Sequence, residues 1–296
     1  MKQQLFDVLC SKVDSFIAQF EQIPINKIND GLAWEQFYFT YFSSMTNTLI
    51  SSINHLDYVQ FQSSVVVPKS VDNICLSFDK NNQLTRAIDF NQQNPSHQLI
   101  TKYLADNLEK IRTTKETDSY QKIFCKDVVN DKKYIISGTS YLNSRTHNIT
   151  LNFCIIEVKT EAKPASSNSF TPSIDRSICK EVFEKFIKVG DCTTASASNI
   201  ANSIGLDLTT LNNNFKYYYG DEMVKHCRKE RLLKSLELIL FSSDEIDDIA
   251  NKYGFFNGEQ LLTNLNAIPH IDTNNLIRYN KNAHCKDIIK KADYAT

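Results

Sequence analysis

The stretch from Ile246 to Phe255 has the sequence Ile-Asp-Asp-Ile-Ala-Asn-Lys-Tyr-Gly-Phe, which carries the signals of a short helix followed by a tight turn. Its two isoleucines and its alanine recur at the spacing of one apolar helix face. Ser243 or Asp244 is placed to cap the start of this helix, and Gly254 permits a turn after it. Residues from Asn257 to about Leu265 predict a second helix. Two short helices joined by a glycine turn form the helix-turn-helix pattern.

The same pattern occurs earlier in the chain, between Ser196 and Lys216. Ser196 or Ser198 predicts the first cap, Gly205 the turn, and Asp207 the cap of the second helix. The second helix turns its apolar side chains inward, so its polar side chains stay outside. These polar side chains are Thr209, Thr210, Asn212, Asn213 and Lys216.

A long helix, predicted from Asp221 to about Leu240, connects the two units. With this helix, residues 199–278 resemble the AraC/XylS family of bacterial transcription regulators. The matching residues are Ile200, Ala201, Gly205, Leu206, Leu211, Phe215, Lys216, Gly220, Arg231, Leu232, Ile246, Ile249, Ala250, Gly254 and Phe255. In that family, two such units enter successive major grooves of promoter DNA, and a regulatory domain commonly precedes them. The resemblance implies an all-α double helix-turn-helix domain over residues 174–296, in a transcription regulator that is not an enzyme. It also implies that the partner is double-stranded promoter DNA, and it is compatible with a contact with RNA polymerase.

The polar positions of the two recognition helices are the candidate DNA contacts. Base contacts are expected from amides and hydroxyls, because asparagine can bond adenine through two atoms and threonine can touch base edges. The candidates are Thr209, Thr210, Asn212 and Asn213 in the first unit and Asn257, Gln260 and Thr263 in the second. Lys216, Arg228 and Arg231 are predicted as phosphate contacts or bracing residues. For Arg231, an internal structural role fits the sequence equally well.

The charge of the chain is the main argument against DNA binding, because the net charge is −1 and phosphate binding usually needs a basic excess. Basic residues form a local stripe along the linking helix, and this stripe favours contact with DNA phosphates. The alternative is an ordinary solvent-exposed helix face, on which Glu230 pairs with Lys234. The second unit also departs from the family, since Thr263 and Asn266 stand where arginine and lysine are usual. The alternative function is therefore a protein-interaction regulator that keeps the fold but has weak or lost DNA binding.

Residues 1–160 predict an α+β regulatory domain, in which two helices precede a mixed sheet of about five strands. The predicted helices are Met1–Gln22, Gly31–His55 and Ser96–Thr114, and the predicted strands are Asn73–Asp79, Gln83–Phe90, Tyr120–Val129, Lys133–Leu142 and His147–Val158. Two strands, a helix and three strands resemble a PAS-type sensor domain in their order, and an unrelated α+β domain is the alternative. The resemblance implies a sensing or dimerising role, with a homodimer through this half and a small-molecule effector as partners.

Residues 161–173 contain a Ser/Pro-rich stretch that predicts a linker. The 8 cysteines are scattered, so we expect free thiols in a reducing cytoplasm. No metal or cofactor is predicted, because the 6 histidines lack ligand spacing and the 7 glycines form no phosphate loop. No stretch is apolar enough to span a membrane. The aromatic cluster from Trp34 to Phe42 is interpreted as core packing.

Overall fold

The computed structural model describes residues 2–20, 32–58, 60–61, 64–91, 93–117, 119–129, 131–162, 170–188, 192–269, 271–276 and 278. These residues group into two compact units, each built from separated stretches of chain. The helical unit contains Met1–Leu9, Ser51–Val67 and Thr160–Arg278, and the sheet unit contains Cys10–Ile50 and Pro68–Lys159. The roles assigned to residues 1–160, 161–173 and 174–296 stay predictions.

The N-terminal half is an α+β fold, as the sequence predicts. Its helices are α1 (Lys2–Phe20), α2 (Leu32–His55) and α3 (Pro95–Arg112). Its strands are β1 (Gln60–Phe61), β2 (Ser64–Phe78), β3 (Leu84–Ile88), β4 (Tyr120–Val129), β5 (Lys132–Leu142) and β6 (Ile149–Ala162). They form one sheet with the order β1-β2-β6-β5-β4, and β3 pairs with β2. The predicted order of two strands, a helix and three strands is thus present, with β1 as an addition.

The prediction of a mixed sheet is wrong, because every pairing whose register is described is antiparallel. The physical reason is the length of the connections. Residues 130–131 alone separate β4 from β5, and residues 143–148 separate β5 from β6. Connections this short form hairpins, whereas parallel neighbours need a crossover of a dozen or more residues.

The core of the sheet unit lies between one face of the sheet and α3. On β6, every second residue from Ile149 to Ile155 belongs to this core, because alternate side chains of a strand lie on the same face. The residues between them are buried as well, so both faces of β6 are covered. Leu99 and Ile100 of α3 pack against this face. Of the predicted aromatic cluster, Phe39, Tyr41 and Phe42 are buried, and the side chains of residues 34–38 lie outside the described residues. Core packing is therefore confirmed for these three aromatic residues.

The C-terminal region is helical, as predicted. Its helices are α4 (Arg176–Lys188), α5 (Thr194–Ser203), α6 (Leu208–Tyr219), α7 (Met223–Phe241), α8 (Ile246–Lys252) and α9 (Gly258–Asn266), followed by a 3-10 turn at Thr273–Asn275. We name α5–α6 the first helix pair and α8–α9 the second helix pair. Helix α7 joins them. Of the predicted linker, residues 161–162 belong to β6, and residues 163–169 lie outside the described residues.

The two helix pairs share one turn geometry. Gly205 and Gly254 have backbone φ values of 75° and 73°, a left-handed conformation that suits glycine. The amide of Leu206 donates to the carbonyl of Ala201 over 3.0 Å. In the second pair, the amide after the glycine donates to the carbonyl of Ala250 over 2.9 Å. Each first helix is thus closed by the same hydrogen bond, which spans the turn.

The cap of α6 agrees with the sequence, whereas the cap of the first helix in each pair differs from the prediction. Asp207 accepts from the Thr210 amide over 2.9 Å, as predicted. Asn257, which was predicted as a DNA contact, caps α9 and accepts from the Gln260 amide over 2.9 Å. The predicted Ser196 or Ser198 cap is wrong, because Thr193 Oγ1 accepts from the Ser196 amide over 3.2 Å and places Ser196 inside the first turn. The Ser243 or Asp244 cap is also wrong, because the chain stays extended through the cap position at residue 245.

The prediction that all cysteines are free thiols is wrong for Cys192 and Cys227, which form a disulfide with their Cα atoms 6.6 Å apart. The two residues are 35 positions apart in sequence, and packing of the start of α5 against α7 brings them together. The free Cys179 belongs to the same core. Burial raises the pKa of its thiol to about 11, so it stays protonated at neutral pH and attacks the disulfide slowly.

We predict that Cys192 and Cys227 resist alkylation in the unreduced, denatured chain and react fully after reduction. Peptide mass spectrometry of the alkylated protein measures this directly. Closing a loop of this length removes entropy from the unfolded chain, so reduction should lower the free energy of unfolding by about 2–4 kcal/mol. Alkylation of both thiols before reduction would show that the bond does not form.

Candidate nucleic-acid interface

The exposed face of α6 carries three of the predicted DNA contacts. Thr209, Asn213 and Lys216 are exposed, and their spacing of i, i+4 and i+7 places them on one side of the helix. We name these three residues the α6 stripe. The ammonium group of Lys216 lies 2.8 Å from a carboxylate oxygen of Glu222, and its hydrogen bond holds the pKa of that carboxyl below its ordinary value. The positive charge of the stripe is therefore partly compensated within the chain.

Two other predicted base contacts of α6 serve the fold. The hydroxyl of Thr210 donates to Asp207 over 2.6 Å, and this hydrogen bond lowers the pKa of the Asp207 carboxyl. The side-chain oxygen of Asn212 accepts from the backbone amide of Met223 over 3.3 Å, at the start of α7. Glu222 makes no side-chain cap there, so Asn212 supplies the acceptor that the helix start needs. We therefore separate both residues from the α6 stripe.

Asn214 is a structural residue that the sequence reasoning missed. Its side chain is fully buried, and its oxygen accepts from the amides of Ser173 and Ile174 over 2.8 and 3.3 Å. Its amide group donates to the Ser173 hydroxyl over 2.9 Å and to the Thr210 carbonyl over 2.8 Å. The signal was present in the spacing, because Asn214 follows the buried Leu211 by three residues on the inner helix face.

The second helix pair offers fewer free polar groups than predicted. The Asn257 side chain is occupied as a cap, and the Gln260 oxygen accepts from the backbone amide of Phe256 over 2.7 Å. Thr263 is exposed on α9. The Asp247 carboxylate accepts from the Gly258 amide over 2.7 Å and links α8 to α9.

The two helix pairs differ in charge. Residues 192–241, which contain the first pair and α7, hold 6 Lys plus Arg and 5 Asp plus Glu, so 6 − 5 = +1. Residues 244–266, which contain the second pair, hold 1 Lys and 5 Asp plus Glu, so 1 − 5 = −4. Phosphate repulsion therefore acts mainly on the second pair.

The basic residues of α7 have different surroundings. Arg228 is exposed and lines a cleft of about 530 Å³ together with Arg231 and Gln260. Lys229 forms an ion pair with Asp221. Arg231 is 9% exposed, so the internal structural role is favoured over phosphate contact for this residue. The structure thus brings Arg228 and Gln260 to one cleft within the helical unit.

The comparisons with known proteins give no match: no family model, no curated protein and no solved structure is similar to this chain. The resemblances to the AraC/XylS family and to PAS-type sensors therefore stay predictions. Among the described residues, no helix combines the length and apolar character needed to cross a membrane. Within the same residues, no three His, Cys, Asp or Glu side chains are grouped as metal ligands.

We predict that Asn214→Ala destabilises the chain by about 1–3 kcal/mol, because the substitution removes a buried side chain that bonds the part-buried backbone amides of Ser173 and Ile174. Asn213→Ala, on the exposed face, is the matched control and should change the free energy of unfolding by less than about 0.5 kcal/mol. Urea unfolding of the two full-length variants measures both values. Equal losses would show that Asn214 does not anchor the chain before α4.

Proposed function

We propose that the chain is a sequence-specific DNA-binding transcription regulator that reads promoter DNA mainly through the first helix pair. The observation that carries the proposal is the α6 stripe, an exposed row of hydroxyl, amide and ammonium groups on the second helix of the pair. In helix-turn-helix proteins the second helix lies in the major groove, where its first residues reach base edges. Thr209 and Asn213 occupy the corresponding part of α6.

The repetition of the helix pair supports this function. Leu211 and Phe215 of α6 are fully buried, as are Leu261 and Leu265 at the matching positions of α9. Both second helices therefore turn the equivalent face inward, and both leave a polar face outside. Two such units joined by one helix agree with the double helix-turn-helix architecture that the resemblance implies.

The net charges of the two helix pairs indicate which pair contacts DNA. Phosphate contacts supply most of the sequence-independent affinity for DNA. The first pair with α7 has a net charge of +1, with Arg228 exposed, whereas the second pair has −4. We therefore assign DNA contact to the first pair and a bracing or weakly contacting role to the second. The sheet unit is assigned to sensing or dimerisation.

We predict that Asn213→Ala weakens binding to the preferred site by about 1–3 kcal/mol, the usual value of one good base contact. Lys216→Ala should weaken all sequences alike and reduce the salt slope by about 1, because it removes a phosphate contact. Gln260→Ala should matter less than either change. Fluorescence anisotropy at several salt concentrations, on a site selected from a random duplex library, measures all three.

Asn202→Ala, an exposed asparagine on α5, is the matched control and should leave the affinity unchanged. Loss of binding in Gln260→Ala with no effect of Asn213→Ala would reverse the roles of the two pairs. If the unmodified chain selects no duplex even at low salt, the DNA-binding proposal fails.

The second candidate function is a protein-interaction regulator, and one observation favours it. Phe256, at the turn of the second pair, is 85% exposed. Exposed aromatic residues are typical anchors of protein interfaces. Asp247 and Glu259 lie on the adjoining helices, so a partner of this surface would be basic around an apolar pocket.

Adding positive charge to the second helix pair distinguishes DNA binding from the protein-interaction function. We predict that Thr263→Arg combined with Asn266→Lys strengthens DNA binding about tenfold at low salt, if the second pair lies along the duplex. The charge-matched control is Gln98→Arg with Asn81→Lys, two exposed positions of the sheet unit. Equal gains in both double variants would place the second pair away from DNA and favour the protein-interaction function.

A further inference from the structure

The Cys192–Cys227 disulfide lies beside the cleft that contains Arg228 and Gln260, which we name the α7 cleft. Cys192 is 8% exposed and contributes to the lining of this cleft, whereas Cys227 is fully buried and does not. The cleft has a volume of about 530 Å³, which is enough for a small molecule. A molecule that enters the cleft therefore approaches the bond from the Cys192 side.

The lining of the α7 cleft is basic. It includes Arg228, Lys229 and Arg231, and no Asp or Glu belongs to the part of the lining that the structure describes. Asp221 compensates the charge of Lys229, whereas Arg228 is exposed and forms no ion pair with a described residue. A cleft with positive walls raises the local concentration of anions. The α7 cleft therefore attracts anionic molecules to the side of the disulfide that they can reach.

The position of Cys192 relative to α5 adds a second source of positive potential. Thr193 caps this helix, so Cys192 is the residue directly before the cap. The start of a helix carries a partial positive charge, and both this charge and neighbouring arginines favour the thiolate form of a cysteine. After reduction, Cys192 would therefore be the more nucleophilic thiol of the pair.

The free cysteines of the described residues are less suited to thiol exchange. Four of them are buried, namely Cys10, Cys75, Cys154 and Cys179. Cys125 is partly exposed, but burial and, second, the Asp127 carboxylate raise the pKa of its thiol to about 11. Such a thiol holds almost no thiolate at neutral pH, and the thiolate is the reactive form. Within the described residues, the chemistry thus favours the Cys192–Cys227 pair.

We propose that the Cys192–Cys227 disulfide is an exchange site for small anionic thiols of the glutathione type, and that exchange controls how firmly α5 is tied to α7. The incoming thiolate attacks Cys192 Sγ and forms a mixed disulfide, while Cys227 leaves as a thiolate and takes up a proton. A second thiolate attacks the sulfur of the bound thiol and releases Cys192. In total, two small thiols are oxidised to one disulfide, and the protein disulfide is reduced to two thiols.

The disulfide is placed where its state affects the first helix pair. It joins the residue before the α5 cap to α7, so reduction removes the covalent tie between these helices. The remaining contacts of α5 are those of the core that includes Ala197 and Ala201. The exchange site would make the proposed DNA-reading pair sensitive to thiols, but its evidence and its tests do not depend on DNA binding.

Reduction of the native full-length chain by 3-mercaptopropionate, 2-mercaptoethanol and cysteamine tests access through the cleft. Each rate per thiolate is divided by the rate for the same chain unfolded in urea, which removes differences in intrinsic reactivity. At low salt, we expect the normalised rate to be at least about fivefold higher for the anionic thiol than for the cationic one. Equal normalised rates overturn the proposal. So does a rate that is independent of thiol concentration, because the bond would then open only after unfolding.

Variants of α7 locate the source of this preference. Arg228→Gln removes a positive charge from the cleft and should lower the ratio of the anionic to the cationic rate about twofold or more. Lys225→Gln, an exposed lysine of α7 outside the lining, is the matched control and should change the ratio less. Equal effects of the two variants would reduce the preference to the general charge of the helix and overturn the cleft as the route.

Single cysteine variants test which sulfur is attacked. In Cys227→Ser, we expect glutathione disulfide to form a mixed disulfide at Cys192, with one glutathione released as a thiol. In Cys192→Ser, the buried Cys227 should react at least about tenfold more slowly. Peptide mass spectrometry assigns the modified cysteine, and circular dichroism checks that both variants fold. Equal modification of the two cysteines overturns entry from the Cys192 side, and the rates on the unmodified chain remain a test if either variant unfolds.

Hydrogen exchange of the unmodified chain tests the effect on α5. Reduction should speed amide exchange in α5 at least about threefold, because the helix loses its covalent tie to α7. Helix α9, which holds neither cysteine, is the internal control and should change less. Unchanged exchange in α5, or an equal change in both helices, would overturn control of the first helix pair by the disulfide.

Discussion

The exposed surface of both helix pairs depends on one backbone constraint, a glycine held in the left-handed region. An L side chain disfavours this conformation, even though Gly205 has open space around the position that a Cβ atom would occupy. The turn reverses the chain so that Leu211 and Phe215 face the core. Once these positions are buried, the helical period leaves Thr209 and Asn213 outside. The candidate DNA-reading surface is therefore a consequence of the turn.

Features that depend on local chemistry could be predicted from the sequence. The bounds of β4 agree with the prediction at both ends, and the glycine turns and the Asp207 cap were predicted from neighbouring residues. Features that depend on partners distant in sequence were missed. Strand β2 begins at Ser64 and continues through Pro68, because pairing within the sheet overrides the proline signal. The disulfide similarly depends on helix packing.

The run Asn212 to Asn214 shows why site residues are harder to predict than helices. The helical period separates Asn213 from Asn214, since one lies opposite the buried face and the other within it. It does not separate Asn212 from Asn213, because the role of Asn212 depends on the Met223 amide beyond the end of α6. Three identical residues thus have one exposed and two structural roles. Burial separates Asn214 from Asn213, whereas the role of Asn212 is shown by its hydrogen-bond partner.

The same criterion applies to buried polar groups in the two units. Asn214 is fully buried and satisfies its oxygen and its amide within the chain, which makes it a structural anchor. Side chains of Ser137, Thr139 and Asn152 on β5 and β6 are also buried without hydrogen-bond partners among the described residues, yet they line neither the α7 cleft nor a cavity of about 570 Å³ in the sheet unit. A missing partner is therefore not sufficient evidence of a binding site. Ser43 Oγ and His97 Nε2 are buried in the same way, even though both residues contribute to the lining of the sheet-unit cavity. A ligand recognises accessible space, charge and a fixed donor direction together, and a buried unsatisfied atom by itself supplies neither of the first two.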